Sequence, residues 1–292
     1  MSAALRWALC LALLGCKRSP APAPVSAPAD SDAARAATAP AEASGAAFAG
    51  VYRVVPVTQP GRVEGRVRWD GPRPALDPLT VGPGGNPSHC GASQPWPALS
   101  VSDGGGVRFA VVSLDVSEGA APTAREVLVN QEHCRYDPHV VALAVGDALT
   151  FGNADRGLLH NVHAYYGYDG DDNWFNAASP HGVPIVRRVL RPGVHRLLCD
   201  AGHTWMLGYV LAFRHPYFAV TDGEGGFVLE GVPPGTHRVH LWHEGWVATE
   251  REGNGRPIMG PPVEAVGRVE VPAGGRGAVR FVLSATGARQ EP

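Results

Sequence analysis

Apolar residues in this chain fall into short alternating or continuous runs cut by Gly-, Pro- and Asp-rich turns, a pattern of strands rather than helices. The segment DPHVVALAVGDALTFGNADRGLLHNVH reads as two strands joined by a Gly-Asp turn, followed by a histidine that opens a third. GVHRLLCDAGHTWMLGYVLAF reads as strand, loop and strand, with Cys199 at the end of the first strand. Earlier in the chain, RVEGRVRW and GGVRFAVVSLDV give short strands around a loop of Pro, Gly, Asn and Ser that contains Cys90. The last third, HPYFAVTDGEGGFVLEGVPPGTHRVHLWHEGW and then GRVEVPAGGRGAVRFVLSA, alternates between DG, GG and PPG turns, as a small antiparallel sandwich does. The expected fold class is all-β.

Composition agrees with that reading. The 292 residues include 37 Gly and 27 Pro, which favours many turns, and 45% hydrophobic content suffices for more than one core. A formal charge of −2 gives no electrostatic case for nucleic acid or for a strongly anionic surface.

The first residues carry one Arg and the apolar run WALCLALLG, too short to span a bilayer, which reads as an export signal. Its ending, Leu13-Leu14-Gly15-Cys16, resembles the bacterial lipoprotein signal, which implies acylation of Cys16 and a lipid anchor facing the periplasm. Lys17, rather than Asp, follows the cysteine, which implies sorting to the outer membrane. Residues 17–58 are mostly Ala, Pro and Ser and are expected to form a disordered tether.

The chemistry-bearing residues gather in CDAGHTWM. Cys199, His203 and Met206 lie within eight residues, and His160 is available from another strand. A thiolate and a thioether favour Cu(I) and imidazole suits both oxidation states; two His and one Cys with a weak axial Met make the blue-copper set. Taken singly, each residue has a bland role, the Met as core filler and the Cys as half of a disulfide. Their joint placement at strand ends points to a metal.

The region from about Arg125 to Arg214 resembles a cupredoxin of the plastocyanin and pseudoazurin kind, through VGDALTFGNADRGLLHNV and GVHRLLCDAGHTWMLGYV. The resemblance implies a Greek-key sandwich over 123–215 holding one type 1 copper. His160, Cys199 and His203 would be equatorial ligands and Met206 the axial one. Asn161 would tie the first ligand strand to the cysteine loop. The spacing departs from plastocyanins: three residues rather than two precede His203, and two rather than four precede Met206. The ring of His203 would lie near the surface, with Leu158, Leu159 and Trp205 as an apolar patch where redox partner proteins dock.

If Cys199 holds copper, Cys90 and Cys134 remain to form a disulfide; a pairing through Cys199 would exclude the metal. His89 and His133, beside those two cysteines, raise a second metal site as an alternative. His163 falls on the opposite face of its strand from His160. His139 matches a non-ligand position, and His181 lies in a loop that could approach the metal. YGYDGDDNWFN reads as an acidic, aromatic loop. His240, His243 and Glu244 could build a zinc site, with packing as the commoner outcome.

TDGEGGFVLEGVPPGTHRV resembles the carboxypeptidase regulatory-like, transthyretin-like module, which implies a second sandwich over 216–292. Its opening strands are expected in the 59–122 segment, at Val63 to Val67 and Val107 to Leu114, with the cupredoxin inserted between. Together these readings anticipate a membrane-tethered blue-copper electron carrier and no enzyme. The alternatives are a copper-delivery lipoprotein without redox turnover and a metal-free cupredoxin-fold binding module.

Overall fold

The computed structural model describes residues 48, 50–170 and 172–291. The expected signal peptide, Cys16 and residues 17–47 of the expected tether lie outside them. No helix among the described residues is long and apolar enough to cross a membrane. Their regular structure is β apart from a 3₁₀ turn, Pro83–Gly85, and one helical turn, Pro87–Cys90.

Strands between 126 and 213 form two facing sheets. One runs Arg135–Asp137, Glu126–Glu132, Ala148–Asn153, Ile185–Arg188; the other runs Val140–Ala144, Leu207–Phe213, Gly193–Leu198, His160–Tyr166, Asp172–Ser179. Their inward residues, among them Val129, Leu143, Leu149, Phe151, Val162 and Leu197, pack into one core that also contains Cys199 and Met206. The acidic, aromatic stretch expected as a loop is half strand. Asp172–Ser179 pairs along His160–Tyr166, and Asp172 accepts a hydrogen bond of 2.6 Å from Arg191.

A second pair of sheets draws on both ends of the described chain. Phe218–Val220, Val111–Asp115, Gly235–His243 and Val263–Val271 make one; Gly226–Val232, Gly61–Trp69, Arg276–Ser284 and Gly287–Gln290 make the other. Gly61–Trp69 runs parallel to Arg276–Ser284 and antiparallel to Gly226–Val232. The strand Leu207–Phe213 joins the two sandwiches. All seven residues of LGYVLAF are buried. Val210 and Ala212 face the first core, while Leu207, Tyr209, Leu211 and Phe213 meet Val111, Phe218 and Trp242 of the second. A continuous apolar run is what burial on both faces requires, and each large side chain so buried contributes about 1.5–3 kcal/mol.

Two segments depart from expectation. The end of the expected tether is docked: Phe48 stacks on Phe213 at 5.0 Å, Arg53–Val54 pairs with Glu118–Gly119, and the Tyr52 hydroxyl donates to Ala120 O at 2.7 Å. Two aromatic side chains supply apolar area that an Ala/Pro-rich sequence does not offer. The segment 79–94, which leaves the second sandwich between Gly61–Trp69 and Val111–Asp115, packs onto the first. Leu79, Val81 and Cys90 belong to the first core.

Candidate metal centre

Strand alternation sets the first donor. His160, Val162 and Ala164 are buried, whereas Asn161, His163 and Tyr165 occupy the other face. Cys199 follows the last residue of Gly193–Leu198, and the loop after it turns through His203, closed by Met206 N donating to His203 O at 2.9 Å. Asn161 Oδ1 accepts from the amides of Asp200 and Ala201, the latter at 3.2 Å, tying the His160 strand to the cysteine loop. The Tyr136 hydroxyl sits 2.8 Å from Leu198 O and 3.0 Å from Asn161 O. Buried Arg256 donates to Cys199 O at 3.2 Å and to Asp200 Oδ1 at 2.7 Å. The loop is thus held from several sides before any ion is added.

Three donor atoms converge. His160 Nδ1 and His203 Nδ1 are 3.0 Å apart, and Cys199 Sγ lies 3.8 Å from the first and 3.5 Å from the second. A point in their plane is about 2.0 Å from all three, the length of metal–nitrogen bonds and slightly under that of metal–sulfur bonds. All three side chains have 0% exposure. Cys199 is a free thiol, and Cys90 is bonded to Cys134. Met206, 1% exposed, lies in the same buried cluster.

The outer ring nitrogens decide which lone pairs face inward. His160 Nε2 donates to Asp155 Oδ2 at 2.8 Å, so its Nδ1 offers a lone pair to the centre. Asp155 also accepts from the amides of His133 and Cys134 at 2.8 and 2.9 Å. Burial alone would raise its carboxyl pKa; these bonds outweigh that and hold it below the usual range. Burial lowers the pKa of His160 against the pull of Asp155, and burial with neighbouring His160 lowers that of His203 to about 4. Both rings are therefore neutral at pH 7, as ligands must be. Burial raises the Cys199 thiol, so a metal entering here displaces its proton. In the metal-free site protons lie between these atoms, on the Cys199 thiol and between the two Nδ1 atoms, and a cation would take their place. The residues fit a soft or borderline ion.

His203 and Trp205 do not form a surface patch. His203 is fully buried, Trp205 is 4% and Leu158 8% exposed, and Leu159 alone projects at 54%. The cause is the 79–94 segment: Asn86 Nδ2 stands 3.5 Å from His203 Nε2, and Gly85 abuts the Trp205 ring. Beside this loop a cleft of about 410 Å³ reaches Trp205 and Met206, lined also by Trp96, Phe109 and Tyr136.

The remaining histidines are elsewhere. His163 Nδ1 meets Asp200 Oδ2 at 2.5 Å, outside the donor triangle, and His181 is exposed. His139 pairs with Glu244 in the interior, His243 Nδ1 accepts from Gly245 N at 3.1 Å, and His240 lies 3.7 Å from Asp115, so these side chains do not converge on one ion. His89, Cys134 and Asp155 do cluster, but the sulfur is spent in the disulfide and the carboxylate on His160. Sequence reasoning missed Asp155, Asn86, Tyr136 and Arg256. Only Asp155, five residues before His160, offered a local signal.

No family model matches the chain, and no curated protein does. Among solved structures, a copper-containing nitrite reductase from Thermus scotoductus is 19% identical over 32% of this chain and 25% of that one, with a TM-score of 0.27. The chain thus spans a quarter of that enzyme's length. Amicyanin from Paracoccus versutus is 20% identical over 35% of this chain and 96% of its own, with a TM-score of 0.27. Auracyanin A, a "blue" copper protein from Chloroflexus aurantiacus, is 11% identical over 31% and 99%, with a TM-score of 0.26.

Proposed function

We propose that the protein is a type 1 copper protein that carries single electrons between periplasmic partners, anchored through acylated Cys16 to the outer membrane. The observation that carries this reading is the buried triangle of His160 Nδ1, Cys199 Sγ and His203 Nδ1. Copper bound there would supply a one-electron couple. Met206, the next polarisable side chain in the loop, would be its axial donor. The chain's own contribution is rigidity. Asp155 fixes the His160 ring, Asn161 and Arg256 fix the loop, and the core excludes water, so a change of charge at the centre finds donors already in place.

Burial supports a resident ion over a delivered one, because handing over copper requires a donor atom that the recipient can reach. Among the described residues the His160–Cys199–His203 group is the one cluster whose donors are not otherwise bonded, which favours a carrier over an enzyme. The strands outside 126–213 would be a carboxypeptidase regulatory-like accessory module. Voltammetry of the copper-loaded protein tests the reading: a reversible one-electron wave with copper retained in both states is expected, and loss of copper on reduction would favour delivery. Replacing Cys16 by Ser should move the protein from the membrane to the soluble periplasmic fraction; retention in the membrane would contradict the anchor.

A further inference from the structure

Most of the second sandwich is remote from the donor triangle, yet one of its excursions lies directly over it. Between Gly61–Trp69 and Val111–Asp115 the chain leaves its own sheets. It forms the two-residue strands Leu79–Thr80 and Ser93–Gln94 and, between them, the turns Pro83–Gly85 and Pro87–Cys90. Three fastenings hold this excursion on the ligand loop. Leu79 and Val81 are buried in the first core. The Cys90–Cys134 disulfide bonds it to the turn whose amides Asp155 accepts. Glycines allow close approach: a Cβ on Gly85 would fall 2.6 Å from the Trp205 ring, and one on Gly202 would fall 2.2 Å from the backbone oxygen of Gly84. At its apex Asn86, held at φ 55, places its amide nitrogen Nδ2 3.5 Å from the outer nitrogen of His203.

Resting on the type 1 reading, we propose that Asn86 is a positioning residue for the ligand His203, and that residues 79–94 are a latched cap closing the edge of that ring to solvent and to partners. When Nδ1 of His203 holds a metal, Nε2 carries the proton and needs an acceptor. As placed, its nitrogen faces a bare Nε2; turned about χ2, which interchanges its two ends, the Asn86 amide supplies the acceptor through its oxygen. His160 receives the same service from Asp155. Both imidazoles are thereby fixed through their outer nitrogens. The sandwich holds Asp155 within itself, but the residue for His203 comes from chain outside it. The centre is complete only when the cap is down.

Asn86 can be probed with little backbone strain, since Gly and Asp both tolerate its left-handed conformation. Asn86→Gly removes the acceptor and Asn86→Asp keeps one. The first measurement is of the zinc-loaded protein, in which the metal holds Nδ1 and Nε2 carries the proton: hydrogen exchange of the His203 Nε2 proton, followed by ¹⁵N-resolved NMR. Protection is expected in the wild type and in Asn86→Asp, and an at least tenfold faster exchange in Asn86→Gly. The second is of the copper-loaded protein: removal of Cu(I) by bicinchoninate and the paramagnetic-resonance spectrum of Cu(II). Asn86→Gly should release copper at least tenfold faster with an altered spectrum and an unchanged melting temperature, and Asn86→Asp should restore both. Exchange in Asn86→Gly within about twofold of wild type overturns the proposal, as does unchanged copper release. A protein that takes up zinc but gives no type 1 copper spectrum would sink the type 1 reading alone, because the proton-exchange arm still decides whether Asn86 holds His203.

Discussion

Removing the Cys90–Cys134 bond is a direct test of how the cap is held. Both cysteines are buried, at 6% and 0% exposure, and they lie 44 residues apart in sequence. Closing a loop of that length restricts the unfolded chain by about 13 cal/mol/K, or about 4 kcal/mol at 25 °C. The double variant Cys90→Ala, Cys134→Ala should therefore lose about 4 kcal/mol of unfolding free energy in guanidinium titrations and melt about 8–16 °C lower. Loss of sulfur packing adds to that figure, and residual structure in the unfolded chain subtracts from it. The fold should survive, since both sandwich cores are intact without the bond. A loss below about 1 kcal/mol would show that the cap is held without the bond, by Leu79, Val81 and the glycine contacts, and that the loop-closure reasoning is wrong.

Other expectations follow from the same contacts. Arg256→Ala removes the donor to Cys199 O and Asp200; because Asp200 is partly exposed, the cost should be about 2 kcal/mol, and an unchanged midpoint would show that the ligand loop does not need it. Met206→Leu should keep copper and colour while raising the reduction potential; identical potentials would remove Met206 from the axial role. Burial lowers the pKa of His195 and His215 to about 4 and of His243 to about 3. Unfolded histidines protonate near pH 6.5, so the unfolded chain binds more protons between about pH 6.5 and 4. The metal-free protein should thus be most stable above pH 6.5 and lose up to about 1.4 kcal/mol per pH unit for each of these histidines as pH falls. Equal urea stability at pH 7 and pH 5 would contradict this.

The donor set was legible because its residues sit where periodicity itself places them. His160 opens a strand whose alternate residues turn inward, and Cys199 directly follows one. The apolar runs marked the strands, but not which strands share a sheet. Gly61–Trp69 and Arg276–Ser284 meet from opposite ends of the chain, and alternation says nothing about such distant partners. The cap was illegible for a related reason. Residues 79–94 are rich in Pro, Gly and Ser, with little apolar pattern, and their placement rests on a disulfide, a few buried side chains and glycine contacts. A surface-exposed His203 was what the resemblance implied, and that resemblance, confined to about 125–214, leaves out chain that arrives from elsewhere.

The central claim is that His160, Cys199 and His203 hold one copper ion, and the spectrum of the copper-loaded protein tests it most directly. One equivalent of Cu(II) should give an intense visible band from the Cys199 sulfur and a paramagnetic-resonance signal with narrow copper hyperfine splitting; Cys199→Ser should abolish the band while the far-ultraviolet spectrum stays that of the wild type. A pale, weakly absorbing Cu(II) form, or an intense band that survives Cys199→Ser, would contradict the account.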